Sequence, residues 1–570
     1  MRIESDGRMD SKLTTLILAG VAASGADLSP SGHAAGYPYP IVDTRQERSY
    51  DNSREVAYPK SGQAFFGQDA QYKGHQPAYR DNKDGTVTDL VTQLMWQQDP
   101  GAKKTYQDAI AGASACRVGG HEDWRLPTIK ELYSLILFNG VDPDHRSNDA
   151  SKLQPFIDAV YFKFQYGNAD RGERVIDSQF ATSTKYVSTT MRGNETLFGV
   201  NFADGRIKGY PINHPGRRRG KAKTYYVLYV RGNKDYGKNS FKDNGNGTIT
   251  DRATGLTWMR VDSGHFKVGQ NKDGKLNWEQ ALKWAEDLEY AGHSDWRLPN
   301  IKELQSIVDY SRSPDTTQSA AIDPVFRVTP IRDGLGNINY PFYWSSTTHA
   351  RGYGGAAAAY VAFGRSQGWM PDFRGRYNLL DVHGAGSQRS DPKAGDPSRY
   401  PRGRGPQGDV VNIYNFVRPV RGGNVNVREK GPELASSPPR RRSAAPGSQG
   451  RRDRNAPDRG GAGGFGRPPG GGRPASDSDA FVNRIFTNDK NGDGKVSRDE
   501  MPERMRQLLD LGDQDNDSAI SRREAESIFR RMSQRDPRHV RESGQARPRE
   551  PRSSGGRGER RERERQPRFE

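Results

Sequence analysis

The chain has 570 residues, of which only 32% are hydrophobic and 65 are glycine, so a good part of it cannot be packed core. The single cysteine, Cys116, excludes an internal disulfide framework and any metal site built from several cysteines. The net charge of +18 favours acidic partners, namely nucleic acid, anionic lipid or sulfated glycan, and its sign alone does not choose among them. We interpret Cys116 as a small buried hydrophobic residue rather than a reactive thiol, because no basic partner is evident beside it.

The N-terminus has the pattern of a secretory signal peptide. Arg2, Arg8 and Lys12 precede an apolar stretch that begins at Leu13, is too short to span a bilayer and suits a signal-peptide core, although nearby aspartates weaken the pattern. We expect residues 1–35 to be this signal and residues 36–75 to be a lead-in segment. No later segment is long and apolar enough to cross a membrane, which predicts a secreted or cell-envelope protein without a transmembrane anchor.

Four blocks of sequence occur twice, in the same order, before residue 424. The matched pairs are residues 81–89 with 243–251, 121–132 with 293–304, 186–190 with 343–347, and 230–232 with 420–422. This duplication predicts two domains of the same fold, residues 76–233 and 238–423, and each copy is long enough to have its own core.

Local patterns within each copy predict an α+β fold. Asp84-Gly85 and Asn246-Gly247, between strand-like residues, predict a hairpin turn, which we favour over a metal-binding loop. Thr128 with Glu131 forms a capping box that starts a helix, and Asn300 with Glu303 does so in the second copy. Alternating apolar residues at 198–202 and 360–363 then predict strands.

Taken together, the blocks Gly-Thr-x-Thr-Asp, Asp-Trp-Arg-Leu-Pro-x-Ile-Lys-Glu-Leu, Tyr-Trp-Ser-Ser-Thr and Val-Arg-Gly resemble the C-terminal domain family of the bacterial collagen-like adhesin Lcl, over about residues 40–423. The resemblance implies two tandem C-type-lectin-like domains and a non-enzymatic role in ligand or glycan binding outside the cell. Members of this family often have cysteines near the positions of Ser49, Ala57, Tyr229 and Pro419. This chain has none there, so its fold must rest on packing alone.

The Trp and Arg of each Trp-Arg-Leu-Pro block are either binding residues or structural ones. We predict the structural role, a buried Trp with an Arg that pairs with carboxylates, because the rest of the block starts a helix. His121 and His293 have no partner at the spacing of a metal site. The sequence offers no catalytic residues and no small-molecule cofactor motif.

Two basic stretches occupy corresponding places in the two copies and are candidates for ligand binding, with solvated loop charge as the alternative. Clustered arginines suit sulfate, phosphate or carboxylate groups, which predicts an anionic polysaccharide or a cell-surface ligand as partner. The candidate residues are Arg217, Arg218, Arg219 and Lys221 in the first copy and Arg399, Arg402 and Arg404 in the second.

Residues 424–477, rich in Pro, Gly and Arg, and residues 534–570, rich in Arg and Glu, are predicted to be a disordered linker and tail. Arginine-rich segments can engage nucleic acid, which is the alternative function. Interspersed glutamates and sparse aromatic residues argue against it.

Residues 478–533 are predicted to be a small all-α pair of EF-hands that binds Ca²⁺, with an acidic surface turn as the alternative. Both loops place oxygen ligands at positions 1, 3, 5, 7, 9 and 12, although Ser518 replaces the glycine at position 6 of the second loop. The first loop offers Asp489, Asn491, Asp493, the Lys495 carbonyl, Ser497 and Glu500, and the second offers Asp513, Asp515, Asp517, the Ala519 carbonyl, Ser521 and Glu524.

The sequence therefore predicts an exported calcium-binding protein with tandem lectin-like adhesion domains. A third alternative, an enzyme akin to the sulfatase-modifying proteins, is disfavoured because that chemistry depends on cysteine or a metal and this chain has one cysteine.

Overall fold

The computed structural model describes two compact units, of which the first ends at Arg442 and the second begins at Ser443. The predicted signal peptide and the predicted tail lie outside the described residues. Within the described part of the chain, no helix has the length and apolarity needed to cross a membrane. The described residues are 36–143, 153–213, 222–351, 354–405 and 408–433 in the first unit, and 482, 485–486, 488–489, 493, 495–501, 513 and 517–533 in the second.

The described part of the first unit consists of many short strands and four α-helices, in agreement with an α+β fold. The lead-in segment and first repeat contain β1 (Ser49–Tyr50), β2 (Glu55–Val56), β3 (Tyr72–Lys73), β4 (Tyr79–Asp81), β5 (Thr86–Asp89), β6 (Leu94–Gln97), β7 (Lys104–Thr105), β8 (Gln179–Lys185), β9 (Thr196–Asn201), β10 (Arg206–Pro211), β11 (Thr224–Tyr225) and β12 (Val230–Gly232). The second repeat and the segment after it contain β13 (Phe241–Asp243), β14 (Thr248–Asp251), β15 (Leu256–Met259), β16 (Ile331–Arg332), β17 (Ile338–Asn339), β18 (Phe342–Thr348), β19 (Ala357–Ala362), β20 (Gln367–Pro371), β21 (Tyr377–Asp381), β22 (Gln388–Pro392), β23 (Val420–Gly422) and β24 (Asn426–Val427). The helices are α1 (Tyr106–Ala115), α2 (Ile129–Tyr133), α3 (Trp278–Glu286) and α4 (Ile301–Ser306).

The hairpins and capping boxes predicted for each repeat are present. The four-stranded antiparallel sheets β4-β5-β6-β12 and β13-β14-β15-β23 are equivalent, and Val87 and Ile249 are fully buried in them. The turns use Gly85 and Gly247 at φ values of 85° and 87°, a region that favours glycine. Helices α2 and α4 begin after Thr128 and Asn300 with complete capping boxes, as predicted.

Helices α1 and α3 were not predicted. Their N-caps, however, follow the same rule, because the side chain of Thr105 accepts a hydrogen bond from the backbone of Asp108, and Asn277 forms a capping box with Gln280. The half-buried Cys116 caps the C-terminal end of α1 and packs against the apolar cluster beneath that helix. This position agrees with the interpretation of Cys116 as a packing residue.

The expectation that each repeat has a separate core was wrong. Strand β10 of the first repeat pairs with β22 of the second through Ile207 and Gln388, which joins the repeats in one six-stranded sheet, β18-β19-β22-β10-β9-β8. The largest apolar cluster extends beneath this sheet and includes Leu132 of α2 and Leu304 of α4. Smaller clusters belong to a single repeat, namely those under α1 and α3 and one around Trp296. Pairing of β10 with β22 makes both copies parts of one core.

Equivalent residues meet at this junction, so the two repeats are related by an approximate two-fold axis. The ammonium group of Lys130 donates to the carbonyl of Ser306 at 2.7 Å, and the equivalent Lys302 donates to the carbonyl of Ser134 at 2.9 Å. Burial lowers the pKa of Lys130 to about 8 and that of Lys302 to about 7. The lysine in each Ile-Lys-Glu-Leu block is therefore a junction residue, a role that the repeated sequence did not reveal.

The lead-in segment packs mainly on the second repeat. The carboxylate of Asp69 accepts hydrogen bonds from the hydroxyls of Thr44 at 2.7 Å and Thr347 at 2.6 Å. The side chain of Gln46 exchanges two hydrogen bonds with the backbone of Thr348, at 2.7 and 2.8 Å. The lead-in segment, which precedes the first repeat in the chain, is thus anchored on the second repeat.

Two sequence assignments need correction. The segment equivalent to residues 343–347 is 180–184 rather than 186–190, since Thr184 and Thr347 each accept a hydrogen bond from the first backbone amide of the neighbouring helix, at 3.0 Å in both repeats. Residues 424–433, which we expected to be disordered, are ordered in the structure. Strand β24 pairs with β3 there, so the backbone of this segment has partners in the first unit. Residues 434–477 lie outside the described residues.

The described residues of the second unit include two short paired strands and a helix. Strands β25 (Lys495–Ser497) and β26 (Ala519–Ser521) are antiparallel, and Val496 lies opposite Ile520. Both side chains are fully buried and join a small apolar cluster with Val482 and Ile485. The described helix, α5 (Arg522–Ser533), follows β26 directly.

Candidate ligand-binding cleft and calcium loops

The repeated Trp and Arg residues are structural, as predicted. Trp124 and Trp296 are 5% and 1% exposed. Arg297 forms two hydrogen bonds of 2.6 Å with the carboxylate of Glu303, and in the first repeat Arg125 pairs with Glu131 through one hydrogen bond. Because the same glutamates close the helix capping boxes, each Arg–Glu pair ties the Trp-Arg-Leu-Pro turn to its helix.

The arginine of each Val-Arg-Gly block also forms an ion pair within its own repeat. Arg231 pairs with Asp123 at 2.5 Å, and Arg421 pairs with Asp295 at 2.6 Å. These aspartates open the Asp-Trp-Arg-Leu-Pro blocks. The arginines of the repeated motifs therefore stabilise the fold of each copy. A ligand-binding site is expected among residues outside these motifs.

A cleft of about 550 Å³ lies over the junction of the two repeats. Its floor is the face of the six-stranded sheet opposite the shared core, where side chains of β10, β19 and β22 project outward. Residues that line it include Arg206, Lys208, Tyr360, Arg389 and Asp391 from these strands, and Asp142, His349, Arg351, Tyr400 and Asp409 from the loops around them.

One end of the cleft is organised by Arg206. Its guanidinium forms a bidentate pair with the carboxylate of Asp142, with hydrogen bonds of 3.0 and 2.9 Å. Beside it, the ammonium group of Lys208 lies 2.6 Å from the carboxylate of Asp204. Burial works to raise the pKa of Asp142, but Arg206 and His349 outweigh it and hold the pKa well below its usual range. Asp142 is therefore an ionised acceptor that fixes Arg206 in place.

The other end is organised by Arg389, whose guanidinium pairs with Asp409. His383 lies 3.1 Å from the same carboxylate, and burial lowers the pKa of His383 to about 4, so the imidazole is neutral at pH 7. Asp391 accepts a hydrogen bond from the backbone of Asn412 at 3.1 Å, and burial raises the pKa of its carboxyl to about 8. Asp391 is consequently mostly protonated at pH 7 and can donate a hydrogen bond.

The cleft offers cationic hydrogen-bond donors and anionic hydrogen-bond acceptors. With Asp391 protonated and His349 neutral, since burial lowers the pKa of that imidazole to about 4, four cations face three carboxylates. Arg351 stands at the mouth, where its side chain is 58% exposed while it contacts Asp142 at 3.2 Å. Such a surface suits a hydroxylated ligand that carries a negative charge.

The predicted basic cluster of the second repeat borders this cleft. Arg399, Arg402 and Arg404 belong to the loop that supplies Tyr400 to the cleft wall. Arg402 lies over the ring of Trp369 and Arg404 over that of Tyr377, at 5.8 and 4.3 Å from the ring centres, so both point toward the β20–β21 hairpin. The corresponding cluster of the first repeat, residues 217–221, lies outside the described residues.

The second unit has features expected of paired EF-hand loops. The position-8 residues Val496 and Ile520 pair between the loops, and Ser518 has a φ of 62°, the conformation that position 6 requires. The backbone amides of Ser497 and Ser521 each donate to the glutamate at position 12, at 2.9 Å in both loops.

Other predicted calcium ligands are engaged within the protein or lie outside the described residues. Asp517 of the second loop forms an ion pair with Lys495 of the first, and Asp493 accepts a hydrogen bond from the backbone of Lys495. Asn491 and Asp515 lie outside the described residues. Among those that are described, no three His, Cys, Asp or Glu residues form a group that could hold a metal ion.

Comparison with known proteins identifies the repeated region. Neither the curated proteins nor the solved structures yielded a match to the chain. The family model of the Lcl C-terminal domain matches residues 85–231 and again residues 247–378. The two matches start in the β4–β5 and β13–β14 turns, and the second ends in the β20–β21 hairpin. The two repeats that share the six-stranded sheet are thus tandem members of the Lcl C-terminal domain family.

Proposed function

We propose that the two repeats form a single adhesin-like binding unit, lectin-like in fold, which takes an acidic saccharide in the cleft at their junction. The family match supports an extracellular or cell-surface role with a surface partner, and we infer from the N-terminal pattern that the protein is exported. The observation that carries the proposal is the array of arginine, lysine, carboxyl and tyrosine groups gathered over β10 and β22.

A saccharide fits this array because its hydroxyl groups donate and accept hydrogen bonds, as the cleft does. Tyr400 adds aromatic surface, and the excess of one cation favours a ligand with a carboxylate or sulfate. Asp142, Asp204 and Asp409 are held by arginine or lysine. Carboxylates fixed in this way suit the binding of a ligand rather than proton transfer, and we therefore propose a binding protein and not an enzyme.

The first test is a glycan array probed with the full chain, followed by calorimetry with the acidic glycan that binds. Arg351→Ala removes the cation at the mouth of the cleft and should weaken binding about tenfold, the loss expected for one charge-assisted hydrogen bond. Arg252→Ala is the matched control, because Arg252 is also exposed and, among the described residues, forms no ion pair. Its affinity should equal that of the unmodified protein.

Binding should also weaken as the pH rises through about 8, where Asp391 loses its proton and the cleft loses its excess positive charge. In the Asp391→Asn variant this dependence should disappear. If Arg351→Ala binds as tightly as the control while a triple reversal at Arg217, Arg218 and Arg219 abolishes binding, the ligand belongs to the basic loop and the cleft proposal is wrong.

A second function, calcium binding by residues 478–533, is favoured by the pairing of Val496 with Ile520. When bound, calcium would be held by carboxylates and carbonyls of the two loops and would link them electrostatically. The residues that would hold it are Asp489, Asn491, Asp493, Lys495, Ser497 and Glu500 in the first loop, and Asp513, Asp515, Asp517, Ala519, Ser521 and Glu524 in the second.

We expect calorimetry on the full chain to show calcium binding at up to millimolar concentration, the range of extracellular modules. Glu500→Gln with Glu524→Gln removes the position-12 carboxylate from both loops and should abolish it. Glu526→Gln, a nearby acidic residue outside the ligand positions, should bind normally. Absence of binding heat in the unmodified protein, or normal binding by the double variant, would leave these loops as acidic turns.

A further inference from the structure

The β20–β21 hairpin of the second repeat has no counterpart in the first and carries an exposed apolar tip. Phe373, in the turn, is 89% exposed, and Leu335, from a neighbouring loop, is 60% exposed. Both side chains line a shallow depression on the outer side of the hairpin. We call the surface formed by these two residues with Arg192, Arg374 and Arg404 the hairpin surface.

The turn that presents Phe373 is held in one shape. The carboxylate of Asp372 accepts hydrogen bonds from the backbone amides of Arg374 at 2.8 Å and Arg376 at 2.9 Å, and from the guanidinium of Arg376 at 3.1 Å. Gly375 supplies the positive φ of 76° that the turn needs. Phe373 is thus exposed on an ordered support, and the acid nearest to it is turned toward the backbone.

Cations surround this apolar tip. In the described part of the chain, no carboxylate forms an ion pair with Arg192, Arg374 or Arg404, and the guanidinium of Arg374 lies 5.1 Å from the ring centre of Phe373. Arg404 lies over Tyr377 in the same way. Since one arginine lies over each ring, a sugar that stacked on the same face would have to displace that arginine.

We propose that the hairpin surface docks on a bilayer that contains anionic phospholipid, with Phe373 and Leu335 entering the interface and the arginines contacting lipid phosphates. Charge complementarity selects this partner, because an exposed aromatic side chain ringed by cations matches the boundary between acyl chains and anionic headgroups. The docking is peripheral, and it uses a surface separate from the residues that line the cleft floor.

The test must separate insertion of the tip from adsorption of other basic segments of this chain, whose net charge is +18. A tryptophan introduced by Phe373→Trp in the full chain should gain emission that brominated acyl chains quench in vesicles of phosphatidylcholine with phosphatidylglycerol. In the control, Val160→Trp, the new side chain replaces an equally prominent apolar residue, 86% exposed, and should not be quenched.

Binding measurements on the same vesicles give the energetic contributions. Phe373→Ser should lower the partition coefficient about tenfold, as expected for losing most of a buried aromatic ring. Arg374→Gln should lower it about fivefold at low salt, and Arg252→Gln should leave it unchanged. Absence of quenching at position 373, or equal partitioning of Phe373→Ser and the unmodified protein, would overturn the proposal even if the chain adsorbs to the vesicles.

Discussion

Arg297→Met should destabilise the first unit by about 3–5 kcal/mol, the cost of leaving a buried carboxylate without its partner. The Arg297 and Glu303 side chains are 6% and 2% exposed, and methionine fills much of the arginine volume while removing the charge. Chemical denaturation monitored by tryptophan fluorescence would measure the change in the free energy of unfolding.

The first repeat provides an internal control for this prediction. Arg125 pairs with the equivalent Glu131 through one hydrogen bond and its side chain is 27% exposed, so Arg125→Met should cost less, roughly 1–2 kcal/mol. Adding Glu303→Gln to Arg297→Met neutralises the buried charge while keeping an acceptor for the Asn300 backbone, and it should recover most of the loss. Equal losses from Arg125→Met and Arg297→Met would contradict the argument from burial.

Separating the two repeats should abolish folding of each half. A polypeptide of residues 36–237 loses the strand that pairs with β10, the α4 side of the shared core and the partner of the lead-in segment. It would expose a long strand edge together with apolar surface, a combination that promotes aggregation. Circular dichroism during heating should show no cooperative transition for this half or for residues 238–442.

Co-expression of the two halves as separate polypeptides is the control for the separation experiment. Because the junction is formed by hydrogen bonds and packing that do not require the connecting peptide, the co-expressed halves should assemble into a one-to-one complex with a cooperative transition. Light scattering would give the stoichiometry. A monomeric, cooperatively melting fragment of residues 36–237 would show that the first repeat has an independent core after all.

Local elements were the most predictable part of this fold. The turns at Gly85 and Gly247 and the helices after Thr128 and Asn300 were predicted because each depends on residues within a few positions of one another. The structural role of Arg297 was also foreseen, since Glu303 lies six residues away. The missed helix α3 has the same kind of signal, a capping box formed by Asn277, and could have been found.

What joins the two repeats could not be predicted, because it depends on contacts between distant segments. Nothing in the sequence pairs Ile207 with Gln388, or brings Lys130 against Ser306. The cleft was missed for the same reason, since Arg206 and Arg389 come from strands far apart in the chain and are not part of a repeated block. From the sequence, the clustered arginines predicted binding residues in loops. The charged residues of the cleft floor lie on strands of a sheet, and only the three-dimensional structure brings them together.

The approximate two-fold axis also bears on how the cleft could diversify. A dimer of identical domains with this interface would present the same side chains on both sides of the axis and would suit a symmetric ligand. Here the equivalent positions beside the central Ile207–Gln388 pair are both cationic, Lys208 and Arg389, whereas those two residues further along their strands are Tyr210 and Asp391. Fusion into one polypeptide frees each half of the cleft to mutate alone, and thereby permits recognition of a ligand with two unlike ends.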